Sequence, residues 1–135
     1  MNRKDILVLY NDLLNHLNGD WILVGGGLLH FLGISERETI DIDIMPVGEI
    51  SNSDQLKIME IAEKNGFPPE VINFSSEYFL KKQKNWKDEL VLLQEKNNTR
   101  IFRPTKKLFR EMKEQRGTET DLSDIELFEK NIQDK

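Results

Sequence analysis

Four consecutive apolar residues, Trp21-Ile22-Leu23-Val24, run directly into three glycines, Gly25-Gly26-Gly27. A short, uninterrupted apolar run stopped by residues that accept a tight turn suits a buried strand, which needs covering layers around it. The flanking sequence supplies them. Ile6, Leu7, Leu9, Tyr10, Leu13, Leu14 and Leu17 recur at helical spacing until Asn18-Gly19-Asp20 stops the helix. After the glycines, Leu28, Leu29, Phe31 and Leu32 suggest a short helix closed by Gly33. Thr39 to Met45 alternates with period two, placing Ile40, Ile42 and Ile44 on one face and Asp41 and Asp43 on the other. This is the second predicted strand.

Leu56, Ile58, Met59, Ile61 and Ala62 mark a further helix, ended by Asn65-Gly66 and barred from continuing by Pro68-Pro69. Val71 to Phe74 forms a third predicted strand. Leu90 to Leu93 and Ile101-Phe102 flank Lys96-Asn97-Asn98-Thr99, which reads as a hairpin because Asn tolerates left-handed backbone. Leu108, Met112, Ile125, Leu127 and Phe128 populate two closing helices joined around Gly117. There is no internal repeat, low-complexity tract or linker. The pattern predicts one α+β domain over residues 1–135, a mixed sheet covered by helices.

At 135 residues the chain supports one core, and with no cysteine that core rests on packing, without disulfides or thiolate metal sites. Lys and Arg number 19 against 24 Asp and Glu, a formal charge of −5, which argues against an extended nucleic-acid surface and leaves room only for a local basic patch. Met1 to Leu17 alternates charged and apolar residues too finely for a signal peptide. No apolar run approaches the roughly 20 residues needed to cross a bilayer, so a soluble, cytoplasmic protein is expected.

Asp41 and Asp43, two apart on one strand, project side by side and offer a divalent cation hard oxygen ligands. By itself such a pair is more often simply the solvent face of an edge strand. The glycine turn between strand and helix adds backbone N–H groups able to approach phosphate oxygens, favoured by the positive end of the following helix. It is neither of the two common nucleotide motifs. A P-loop needs a Lys-Ser or Lys-Thr pair, and G-x-G-x-x-G fails because His30 stands at its last glycine.

Taken together, Val24-Gly25-Gly26, the helix from Gly27 to Leu32, and Asp41-Ile42-Asp43 resemble the signature of the nucleotidyltransferase superfamily. Arg37-Glu38-Thr39-Ile40, leading into the aspartates, is similar to small bacterial branches: the abortive-infection toxin type, minimal transferases and lincosamide-modifying enzymes. A looser likeness extends to Lys113-x-x-Arg116 followed by Asp121-Leu122-Ser123-Asp124-Ile125. The resemblance implies a polymerase-beta-like fold in which Asp41 and Asp43 hold Mg²⁺ or Mn²⁺ against an NTP. Gly25, Gly26 and Gly27 would cradle the phosphates, with Arg37, Lys113 and Arg116 as further nucleotide contacts. The reaction implied is transfer of NMP to a hydroxyl on a small molecule, a tRNA or a partner protein.

The family's third carboxylate comes from a neighbouring strand, and here Glu70-Val71-Ile72-Asn73-Phe74 puts Asn73 at that position. An amide ligates a metal without charge and cannot act as a general base. Glu70, Glu77 and Glu89 are alternative sources. The departure opens a second reading, a degenerate member that binds nucleotide or partner without turnover, as in a toxin and antitoxin pair. A plain α/β binding module is the third. His30, just after the glycine turn, could reach a phosphate there, but such a residue is more often a surface or packing one, and His16 has no chemical neighbours in sequence. Arg37 either meets nucleotide or pairs with Glu36 or Glu38. Lys113 and Arg116, three apart on a helix, either bind triphosphate or form a solvated face paired with acids. Trp21 and Trp86 read as core or core-edge residues.

Overall fold

The computed structural model describes residues 2–35, 41–74 and 76–134. The elements run α1 (Arg3–His16), β1 (Gly19–Val24), α2 (Gly25–Phe31), β2 (Ile42–Pro46), α3 (Asn52–Lys64), β3 (Ile72–Asn73), α4 (Glu77–Lys81), β4 (Leu90–Lys96), β5 (Thr99–Pro104), α5 (Lys106–Arg116) and α6 (Glu119–Asn131). The fold class is α+β, as expected. Side-chain oxygens start four of the helices: Asn2, Ser51, Thr105 and Thr118 each accept a backbone N–H from the first turn, and Gly117 ends α5 with a left-handed φ of +66°.

The five strands form one mixed sheet in the order β3-β2-β1-β5-β4. β1 runs antiparallel to β2 and parallel to β5, while β2 and β3 are parallel and β4 and β5 form the hairpin. Alternation along the inner strands sorts side chains to two faces. Trp21, Leu23, Ile42, Ile44 and Ile72 enter a large cluster with α1, α2, α3 and α6, whereas Ile22, Val24 and Met45 join a smaller one with Leu80, Leu108 and Met112. Both faces of β1 are therefore dry, which explains its uninterrupted apolar sequence. Truncating one of its fully buried residues, such as Leu23→Ala, should cost about 2–5 kcal/mol.

Three boundaries differ from the sequence reading. The second strand runs from Ile42 to Pro46, leaving Asp41 just before it, while Thr39 and Ile40 lie outside the described residues. The helix after β1 is assigned from Gly25 because all three glycines enter its first turn, although Gly25 itself has a φ of +72°. β3 contracts to two residues behind a 3-10 turn at Pro69–Val71, since Pro fixes the chain before it can extend. α4 and the 3-10 turn Trp86–Asp88 were not anticipated: segments of five and three residues are too short to display a period.

Candidate functional site

The faces of the sheet decide where the chemistry lies. Because Ile42 and Ile44 enter the large core, Asp43 shares the opposite face with Met45, and strand register sets it beside Val24 on β1 and Asn73 on β3. It is not on an edge strand. β2 is flanked on both sides, and Asp43 is largely shielded from solvent.

At Gly25 the backbone touches the Asp43 carboxylate. A Cβ built there would overlap Oδ2 of Asp43, and the left-handed torsion independently disfavours any side chain. Gly27 has a different role: a Cβ would stand 3.5 Å from the Ile42 Cα, so its absence lets α2 lie close on β2. Gly26 is half-buried between them. The glycine turn and the second aspartate therefore form one unit.

Burial, together with the nearby Asp41 charge, pushes the Asp43 carboxyl up to about 6, against the opposing pull of Lys113 and Arg116. Those four residues share one electrostatic neighbourhood. The Asn73 side-chain N–H donates to Oδ2 of Asp41 at 2.7 Å, so Asn73 reaches the aspartate pair and presents a donor to it.

α5 brings the cations, and α6 holds them. Lys113 is buried, with Nζ 3.1 Å from Oδ2 of Asp124 and 3.4 Å from Oδ1 of Asp121. Arg116 is half exposed, its Nε 3.7 Å from Oδ2 of Asp121. Burial works against ionisation of Asp121, yet the Thr118 hydroxyl and N–H, reinforced by Lys113 and Arg116, outweigh it and hold the carboxyl below its usual range. The Asp121 that caps α6 also anchors α5. Lys113 and Arg116 thus part company. The first is locked among acids in the interior and the second stands at the surface.

Beside Gly25 opens a small cleft of about 20 Å³, walled by Val24, Ser76, Phe79, Phe109, Met112, Lys113 and Arg116. Sequence reasoning missed Ser76 and Phe79, whose only local signal was a short apolar step among lysines. No family model, curated protein or solved structure matches the chain.

The remaining candidates separate from this site. Arg37 lies outside the described residues. His30 is buried on α2, in keeping with a packing residue. The ring Nδ1 of His16 is 2.8 Å from the Asp12 carbonyl oxygen, and the side chain lines a groove with Lys57 and Lys64. Trp21 is fully buried and donates to the Asn18 carbonyl, and Trp86 is half-buried against the smaller cluster. Glu70 is exposed, Glu77 pairs with Lys81, and Glu89 accepts from Thr105. Among the described residues no group of three or more His, Asp or Glu side chains is arranged to hold a metal. No helix in the described residues is long and apolar enough to cross a membrane.

Proposed function

We propose that this protein is a nucleotidyltransferase-like NTP-binding protein of polymerase-beta-like fold, with its site on the sheet face bearing Asp43. The observation that carries this reading is the contact between Gly25 and the Asp43 carboxylate, which joins the glycine turn to one of the two aspartates. The electrostatics agree. Two neighbouring carboxylates, one of them with its pKa raised by burial, are relieved by a dication, and Asp41 and Asp43 supply oxygen donors suited to Mg²⁺ or Mn²⁺. Such an ion, when bound, neutralises negative charge on a triphosphate.

The chain's own residues supply the rest. N–H groups of the Gly25–Gly27 turn approach phosphate oxygens without side-chain obstruction. Arg116, at the cleft, carries an accessible guanidinium suited to a phosphate fork. In the transfer, the acceptor oxygen forms a bond to the α-phosphorus, the bond to the pyrophosphate oxygen breaks, and the acceptor's proton must leave. Asp41 and Asp43 are committed to the ion as oxygen donors and Asn73 cannot act as a base, so that proton passes to solvent.

A second reading has its own support. Asn73 gives Asp41 a hydrogen bond where the family pattern has a third carboxylate, so binding without efficient turnover is the form this site favours. Incubation with each α-labelled NTP and Mg²⁺, alone and with cell extract, tests both. Label transferred by the wild type and not by Asp41→Asn/Asp43→Asn supports the enzyme. NTP binding lost in that variant, without transfer, supports the binder, and no metal-dependent NTP binding overturns both.

A further inference from the structure

The segment that closes the cleft also leads away from it. α4 sets Phe79 into the cleft wall, while Tyr78, 65% exposed, packs edge-on against Phe79 with ring centroids 5.4 Å apart. One turn later, the Lys82 Nζ stands 5.4 Å from the Tyr78 ring. Asn85 then takes a left-handed φ of +60°, turning the chain so that Trp86 has Lys81 and Lys87 ammonium groups each 5.6 Å from its ring.

Four lysines fall within the seven residues Lys81 to Lys87, in a chain whose net charge is −5. Lys82, Lys84 and Lys87 are exposed. Lys81 is engaged with Glu77, but among the described residues none of those three has a carboxylate within ion-pair distance. Uncompensated ammonium groups around the exposed Tyr78 ring and the half-buried Trp86 match single-stranded nucleic acid, whose phosphates meet lysines while a base stacks on an aromatic face. A duplex keeps its base faces covered. A lipid surface calls for more exposed apolar area than one tyrosine and a half-buried tryptophan.

We propose that Tyr78, Lys82, Lys84, Trp86 and Lys87 form a binding surface for single-stranded nucleic acid, which Phe79 connects to the cleft beside Arg116. The binding stands on its own, while the role of the strand's end as hydroxyl acceptor rests on the nucleotidyltransferase reading.

Fluorescence anisotropy with a short labelled RNA strand, its DNA counterpart and the matching duplex tests the surface. Both single strands should bind at least several-fold more tightly than the duplex. Three lysine contacts predict a slope of log K against log salt of about −2. Lys82→Gln/Lys84→Gln/Lys87→Gln should weaken binding at least tenfold at low salt and flatten the slope. Tyr78→Ala should weaken binding while leaving the slope unchanged. Mg-NTP binding, measured in the same variants, should not move, and an unchanged melting temperature verifies folding.

The proposal is overturned if the wild type does not bind single strands, if the duplex binds equally, or if the triple variant binds as the wild type does. Capture by anionic phospholipid vesicles in place of RNA also overturns it. Strand binding without NTP binding keeps this surface and removes the nucleotidyltransferase reading, and the converse result does the reverse.

Discussion

The Asn73 side-chain nitrogen lies 2.7 Å from Oδ2 of Asp41 and donates to it, so a neutral donor meets this aspartate where a third carboxylate would repel it. The contact links β3 to the segment entering β2, at the register where Asn73 also stands opposite Asp43. An amide in this place keeps the metal-free site tolerable, at the expense of metal affinity.

Asn73→Asp should therefore be less stable than the wild type without metal at pH 8, by about 1–3 kcal/mol, because a donor becomes a like charge. Mn²⁺ should restore the stability and bind more tightly than to the wild type. Thermal melts with and without Mn²⁺ measure both effects. Equal metal-free stability of the two proteins would mean that position 73 does not sense the aspartates.

Asp43→Asn is expected to stabilise the protein at neutral pH while removing metal-dependent NTP binding. The folded carboxyl titrates at about 6, above its ordinary 3.8, so the native state binds the proton more tightly than the unfolded chain. The stabilisation from this proton is complete below about 4 and is lost as pH rises through 6, a change of up to about 3 kcal/mol. The melting temperature of Asp43→Asn minus that of the wild type should widen between pH 4 and pH 6 and stay flat above. A difference independent of pH would show that Asp43 titrates normally.

Gly25→Ala meets two obstacles, a φ of +72° and the Asp43 carboxylate. The torsion alone costs roughly 1–2 kcal/mol. Removing the obstructing carboxylate should recover part of the loss, so a cycle with Asp43→Ala should give a coupling of about 0.5–3 kcal/mol. Additive effects in chemical denaturation would place the two residues out of contact.

Lys113 and Arg116 should respond differently to truncation. Lys113→Met leaves buried Asp121 and Asp124 without their ammonium partner and should cost about 3–5 kcal/mol, less at acid pH where carboxylates protonate. Arg116→Ala removes a half-exposed group and should cost under about 1 kcal/mol while weakening NTP binding. Denaturation paired with NTP titration separates the two roles. Similar stability losses at both positions would contradict the burial difference.

The order of elements was legible in local sequence because period and stop signals are local: Trp21 to Val24 reads as a strand, Asn97-Asn98 as a hairpin turn and Gly117 as a helix boundary. The alternation of Ile42 and Ile44 with Asp43 determined that the carboxylate faces away from the large core, since successive side chains on a strand point oppositely. Which elements cover that face was not encoded in any period. The approach of α5, the burial of Lys113 against two aspartates of α6, and the insertion of Phe79 from a five-residue helix arise between segments distant in the chain. So does the overlap that excludes a side chain at Gly25, because it depends on where β2 sets the Asp43 carboxylate beside β1. Sequence spacing specifies direction along one element. Distance, shielding from water and the resulting shift of Asp43 depend on packing between elements, and only the tertiary structure decides them.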